Sequence, residues 1–189
     1  MIGKRKSGLG KRELEKAPRA PRDLYPTCDP AATEALAPFL DPTGVYIEPC
    51  AGDGSLIKLL ASVAPDMWCM GAYDIDPVAN KITPRNCLTL NKGDVEGADC
   101  FITNPPFHWG MLRPILDHLP TLLPTWLLLP ADSMHNKRMS PYMDFCSDVV
   151  SVGRLYWFQD KPIKGVDNYC WYKFDADYEG FTKFHARTI

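Results

Sequence analysis

The sequence predicts an α/β domain built on a mostly parallel sheet with helices on both faces, and three observations carry that expectation. Short apolar runs alternate with helical stretches from residue 23 onward, the order of a fold made from βαβ units. The segments rich in glycine, proline and acid each fall just after a run that reads as a strand, where ligands bind on such sheets. The last two runs are joined by about ten residues, which suits a hairpin; a crossover between parallel strands takes about a dozen or more. The chain has 189 residues, enough for one domain with a proper core.

Taken in order, Asp29 is placed to cap a helix running to Leu40, with Pro30 at its first position. Residues 45–50 read as the first strand and 54–64 as a helix ended by Pro65. Residues 67–74 read as the second strand, 86–90 as a weak third and 100–103 as a short fourth. A helix is expected over 109–119, then a strand buried on both faces at 126–129. Residues 136–146 suggest another helix, interrupted by Pro141, and 149–158 and 169–174 are the closing pair of strands.

Charge is distributed unevenly. Residues 1–22 carry eight Lys/Arg against Glu13 and Glu15, a net +6, which leaves −8 for the remainder of a chain whose total is −2. Residues 1–22 are therefore read as a basic arm, either contacting phosphates or serving as a solubilising tail, and 23–189 as a single domain. The seven cysteines include no C-x-x-C pair, and several sit inside apolar runs, as reduced, mostly buried thiols do. The four histidines show no metal-pair spacing, so no metal is expected. The longest apolar run, residues 126–129, is strand-sized, and the basic N-terminus is not followed by an apolar segment; a cytoplasmic protein without membrane contact is the expectation.

Glu48-Pro49-Cys50-Ala51-Gly52-Asp53-Gly54 follows the first strand and opens a helix. Gly52 and Gly54 suit a backbone that turns tightly against a ligand. A phosphate site would want a Lys-Ser/Thr after the glycines, and here two carboxylates, Glu48 and Asp53, would repel it. A cationic ligand suits that loop better. Asp74, ending the second strand in Tyr73-Asp74-Ile75-Asp76-Pro77, stands where the hydroxyls of a ribose are held, with Asp76 as the alternative. Asp94 could accept from an adenine amine of the same ligand, or could be a turn aspartate after Gly93.

Asn104-Pro105-Pro106-Phe107 follows the fourth strand. The prolines fix an extended backbone without donors, so the segment presents acceptors, the Asn104 side-chain oxygen and the Pro105 carbonyl. That suits an exocyclic amine, whose lone pair must be drawn out of its ring before it attacks a methyl group. Phe107 offers a ring on which a flipped base can stack.

Together these residues resemble the class I S-adenosylmethionine-dependent methyltransferases and, within them, the DNA adenine-N6 methyltransferases. The resemblance covers roughly residues 23–175. It implies a Rossmann-like, seven-stranded sheet of order 3-2-1-4-5-7-6 with an antiparallel last strand. It implies a site-specific enzyme that transfers methyl by direct displacement, with S-adenosylmethionine as cofactor. Glu48, Ala51, Gly52 and Gly54 would then line the cofactor's methionine end, Asp74 its ribose and Asp94 its adenine. Asn104, Pro105, Pro106 and Phe107 would form the catalytic loop, with Asn104 also reaching the cofactor. Tyr25-Pro26-Thr27-Cys28-Asp29-Pro30 looks like the segment closing over the methionine carboxylate, although the family has Thr-Pro where this chain has Thr27-Cys28.

Many such enzymes carry a separate target-recognition domain, and here only the loops 130–140 and 159–168 remain to touch DNA. Lys137, Arg138, Lys161 and Lys164 are the candidate phosphate contacts. An enzyme of this size could read a short sequence, rely on a protein partner or recognise little. RNA adenine or guanine and protein glutamine are alternative substrates, because the nitrogen chemistry is shared. A binding scaffold that had merely kept the fold should have lost Gly52, Gly54, Asn104 or Phe107, and all four are present.

Overall fold

A computed structural model describes residues 25–157 and 164–188. The basic arm and Lys161 lie outside the described residues. Eight strands form one sheet among them: β1 (Val45–Glu48), β2 (Trp68–Asp74), β3 (Thr83–Pro84), β4 (Cys100–Thr103), β5 (Thr125–Pro130), β6 (Cys146–Gly153), β7 (Tyr169–Phe174) and β8 (Lys183–His185). Their order is β3-β2-β1-β4-β5-β7-β6-β8. Only β7 runs against the rest, pairing antiparallel with both β5 and β6. The helices are α1 (Pro30–Leu36), α2 (Ser55–Val63), α3 (Trp109–His118) and the single turn α4 (Ser140–Met143).

Alternation along the strands sorts the core into two layers, one on each face. Tyr46, Ile102, Trp126, Leu128 and Trp171 face α1 and α2, where Leu36, Leu56 and Leu60 cover them. Ile47, Phe101, Leu127, Leu129 and Tyr172 face α3, which contributes Leu112, Ile115 and Leu116. The sheet's central strands are therefore apolar on both sides. The Trp171 indole N–H, buried with them, donates to the Ala32 carbonyl at 2.7 Å.

The strand order expected from the family resemblance is present, with an eighth strand added beyond β6. β8 lies parallel to β6 and is tied to it by His185 Nε2 against Asp148 Oδ1 at 2.8 Å. Four local expectations are corrected. Residues 86–90 are not a strand: the Asn86 side chain accepts from the Leu88 N–H and starts a 3-10 turn, and the third strand is instead Thr83–Pro84. Pro84 lacks a donor and is tolerated there because β3 lies at the sheet edge. The first helix stops at Leu36, with a 3-10 turn following over Ala37–Phe39 around Pro38. Pro141 leaves only α4 of the helix expected over 136–146, and β6 begins at Cys146 and ends at Gly153, whose φ is +95°.

Strand order reverses between β1 and β4, which are paired in parallel with Ile47 opposite Phe101. The loops leaving these two strands are consequently side by side at the carboxyl edge of the sheet.

Candidate active site

The loop after β1 is built to turn sharply. Gly52 has φ +54° and Gly54 +76°, both in the left-handed region. Gly54 caps α2, and Asp53 takes the Ser55 N–H and hydroxyl, each at 2.9 Å. The loop is also pinned from beneath: Ala51 N–H donates to the Tyr73 carbonyl at 2.8 Å and Val78 N–H to the Gly52 carbonyl at 3.0 Å. A Cβ placed on Gly52 would meet nothing within 4 Å, so that side of the loop faces open space.

Glu48, at the end of β1, is only 2% exposed. Burial pushes its carboxyl well above the usual carboxylate range, and the charges of Asp53 and Asp74 push it the same way. Its Oε2 is buried without a hydrogen-bond partner, as is Oδ1 of Asn104 at the end of β4. Both atoms belong to residues lining one small cavity, together with Thr27, Ala51, Gly52 and Asp53. The cavity measures about 40 Å³, and Tyr25, Pro26 and Thr27 of the segment leading into α1 complete its lining. Asn104 Nδ2 donates to the Tyr25 carbonyl at 2.9 Å, and the Tyr25 ring stacks on Phe107 at 6.2 Å. Asp29 fixes the segment by accepting the Ala31 N–H at 3.1 Å and the Tyr156 N–H at 2.9 Å.

Phe107 lies on the other side of the same loop. It touches both core layers and lines a larger cavity of about 300 Å³, shared with Trp109, Asp132, Asn136, Arg138 and Met139. The Asn-Pro-Pro-Phe segment thus separates two cavities, with Asn104 on one and Phe107 on the other.

No protein-family model matches the sequence, and no curated protein is similar to it. Solved structures do match in fold. One, assigned as the modification subunit of a type I restriction enzyme from Vibrio vulnificus, superposes over 94% of this chain and 50% of its own, with a TM-score of 0.55 and 12% identity. Another, assigned as a class I S-adenosylmethionine-dependent methyltransferase from Listeria monocytogenes, superposes over 92% of this chain and 69% of its own, with a TM-score of 0.52 and 10% identity. This chain has the Rossmann-like class I methyltransferase fold. It spans half the length of the Vibrio protein.

Within that fold the expected cofactor residues divide. Thr27, Glu48, Ala51, Gly52 and Asn104 line the small cavity, and Gly54 shapes the loop behind it. Asp74 is only 1% exposed, and its two oxygens accept the backbone N–H groups of Gly52 and Asp76 at 2.8 and 2.9 Å. It clasps the glycine loop, whereas Asp76 is exposed at the strand's end. Asp94 stands in the turn after Gly93. It closes a capping box with Asn91 and pairs with Arg85 at 2.7 Å, and it lines neither cavity. Arg85 holds its carboxyl below the usual range.

Of the candidate phosphate contacts, Arg138 lies on the larger cavity with its guanidinium 4.7 Å from the Trp109 ring centre. Lys137 is exposed beside it, and Lys164 sits over the Tyr156 ring at 5.0 Å. The sequence reading missed Trp109, Trp157 and Tyr169. The last two pack edge to face at 4.8 Å and both touch Phe107. Their only sequence signal is the aromatic richness of the C-terminal third. Among the described residues no three His, Cys, Asp or Glu gather as metal ligands, and no helix is long and apolar enough to cross a membrane.

Proposed function

We propose that this chain transfers the methyl group of S-adenosylmethionine to the exocyclic N6 amine of adenine in DNA. The observation that carries the reading is the buried, partnerless Oδ1 of Asn104, held between the glycine loop and Phe107. An acceptor left unpaired in that position is poised for a donor brought by a ligand.

The residues lining the small cavity fit the methionine end of the cofactor. Glu48 Oε2 is an unpaired acceptor for the ammonium of its methionine end, Thr27 offers a hydroxyl to its carboxylate, and Gly52 leaves room for close approach. When bound, S-adenosylmethionine supplies an electrophilic methyl group on a sulfonium. The protein's part is to hold the acceptor amine. Asn104 Oδ1 accepts one of its N–H groups and the rigid Pro105 carbonyl the other, which localises the nitrogen lone pair. Phe107 fixes the plane of the base. Preorganised acceptors of this kind need no reorganisation as charge develops on the nitrogen. The assignment to adenine in DNA rests on the resemblance of the loop sequences.

The test is transfer of tritiated methyl onto duplex DNA, single-stranded DNA, tRNA, rRNA and protein extract, followed by mass spectrometry of the product nucleosides. N6-methyladenine in DNA is expected. Asn104→Ala should lower turnover at least about a hundredfold while cofactor affinity stays within about threefold. Label found only in RNA or protein replaces the substrate assignment, and an unlabelled panel removes the reading.

A further inference from the structure

We propose that Tyr25 is a gate built into the chain: it closes the catalytic loop, and the acceptor amine must displace it to reach Asn104. This rests on the methyl-transfer reading and adds a control of the same site.

The acceptor atom that the reaction needs is shut in. Asn104 Oδ1 is hidden from solvent and has no hydrogen-bond partner, and the cavity that Asn104 lines measures about 40 Å³. Sites for small molecules measure about 300–1,000 Å³, so part of the wall must move before an amine and a methyl donor can meet there. Most of the wall is fixed. Glu48 ends β1, Leu56 belongs to α2, and the glycine loop between them is held by Tyr73, Asp74 and Val78. Tyr25, Pro26 and Thr27 complete the lining and belong to no helix or strand.

Within that segment the two ends differ. Asp29 is tied to Ala31 and Tyr156 through its two oxygens, and Thr27 is buried. Tyr25 is 36% exposed and reaches the catalytic loop twice. Its carbonyl accepts from Asn104 Nδ2 at 2.9 Å, and its ring stacks on Phe107 at 6.2 Å and 24°, with the Trp157 ring edge-on to it at 5.5 Å. A ring nearly parallel to Phe107 and next to Asn104 is what the proposed mechanism asks of the substrate. Tyr25 therefore holds the substrate's place. One neutral hydrogen bond and one pair of rings are contacts that an incoming ligand can replace. Until they are replaced, only the molecules with Tyr25 displaced can take the acceptor, and apparent affinity is lowered by that fraction.

The experiment uses the full chain, mixed-sequence duplex oligonucleotides and tritiated S-adenosylmethionine. Tyr25→Ala removes the stack and should lower KM for DNA about two- to tenfold, so that kcat/KM rises. Tyr25→Phe keeps the ring and should return the wild-type KM. A residue that only shapes the wall would act in the opposite sense: its loss would lower kcat and leave KM unchanged or raised. The unaltered protein gives a second readout that needs no turnover. Amide exchange over residues 25–29 should become faster when duplex is added to the complex with S-adenosylhomocysteine. A KM that does not fall in Tyr25→Ala, or exchange that does not quicken, overturns the gate; if the unaltered protein still methylates DNA, the methyl-transfer reading stands. If the unaltered protein transfers no methyl to DNA, that reading falls and the gate falls with it.

Discussion

The carboxylate of Asp74 accepts the backbone N–H of Gly52 at 2.8 Å, joining the end of β2 to the glycine loop across twenty-two residues of chain. Its other oxygen takes the Asp76 N–H at 2.9 Å. One buried side chain therefore holds both the glycine loop and the turn after β2.

Removing that clasp should destabilise the protein. Asp74→Ala leaves two amides without their acceptor and should cost about 2–4 kcal/mol, read from urea unfolding. Asp74→Asn retains one acceptor and should lie between. A loss well under 1 kcal/mol in the alanine variant would mean that the loop holds its turn without Asp74.

Glu48 should show the opposite trade. Its carboxyl is held above the usual range by burial and by neighbouring negative charge. Below a pH of about 4.3 the folded and unfolded forms are both protonated, so this residue adds no pH dependence there. As pH rises further the unfolded chain ionises first, and the wild type loses stability until the folded carboxyl ionises in turn. Glu48→Gln removes that penalty. Its melting temperature should match the wild type near pH 4 and exceed it near pH 8, by about 2–4 °C for each kcal/mol recovered. The same substitution should weaken S-adenosylmethionine binding at least about tenfold, because a neutral amide replaces the acceptor for an ammonium group. Equal melting temperatures across that range would overturn the account of Glu48.

Asp94 and Asp76 should separate cleanly. Asp94 is committed to Arg85 and Asn91 and borders neither cavity, so Asp94→Ala should leave cofactor affinity within about twofold. Asp76→Ala, at the exposed end of β2, should weaken it about fivefold or more if Asp76 meets the ribose. Calorimetry on the two variants compares them directly; the reverse order would return the adenine contact to Asp94.

The eighth strand has its own tie. Burial alone would raise the Asp148 carboxyl, but the hydrogen bonds from His185 and Ser147, with Lys173 nearby, outweigh it and hold the carboxyl below its usual range. Its contribution is thus present above a pH of about 3.9 and is lost as pH falls through the lower folded value. His185→Ala should cost about 1 kcal/mol or less and speed amide exchange over residues 183–185. Unchanged exchange there would show that β8 is held by its backbone ladder alone.

The sequence by itself determined the architecture around β1, β4, β5 and β7, because each is an apolar run of strand length and glycine or proline stands near the ends of the first three. Tyr169–Phe174 and Cys100–Thr103 formed strands at the expected bounds. It also located the two loops at the sheet's carboxyl edge, since glycine and proline constrain the backbone wherever they stand. Local chemistry misled where a side chain competed with the backbone: Asn86 drew the expected third strand into a turn, and Pro141 cut a helix to one turn. What only the tertiary structure decided was which partners the acids of these loops take within the chain. The sequence offers Asp74, Asp76 and Asp94 each as a ligand contact, and only the folded chain commits Asp74 to Gly52 and Asp94 to Arg85. The pairing of Trp109 with Arg138, twenty-nine residues apart, depends on α3 and the loop after β5 meeting across the cavity, and no local pattern encodes that meeting.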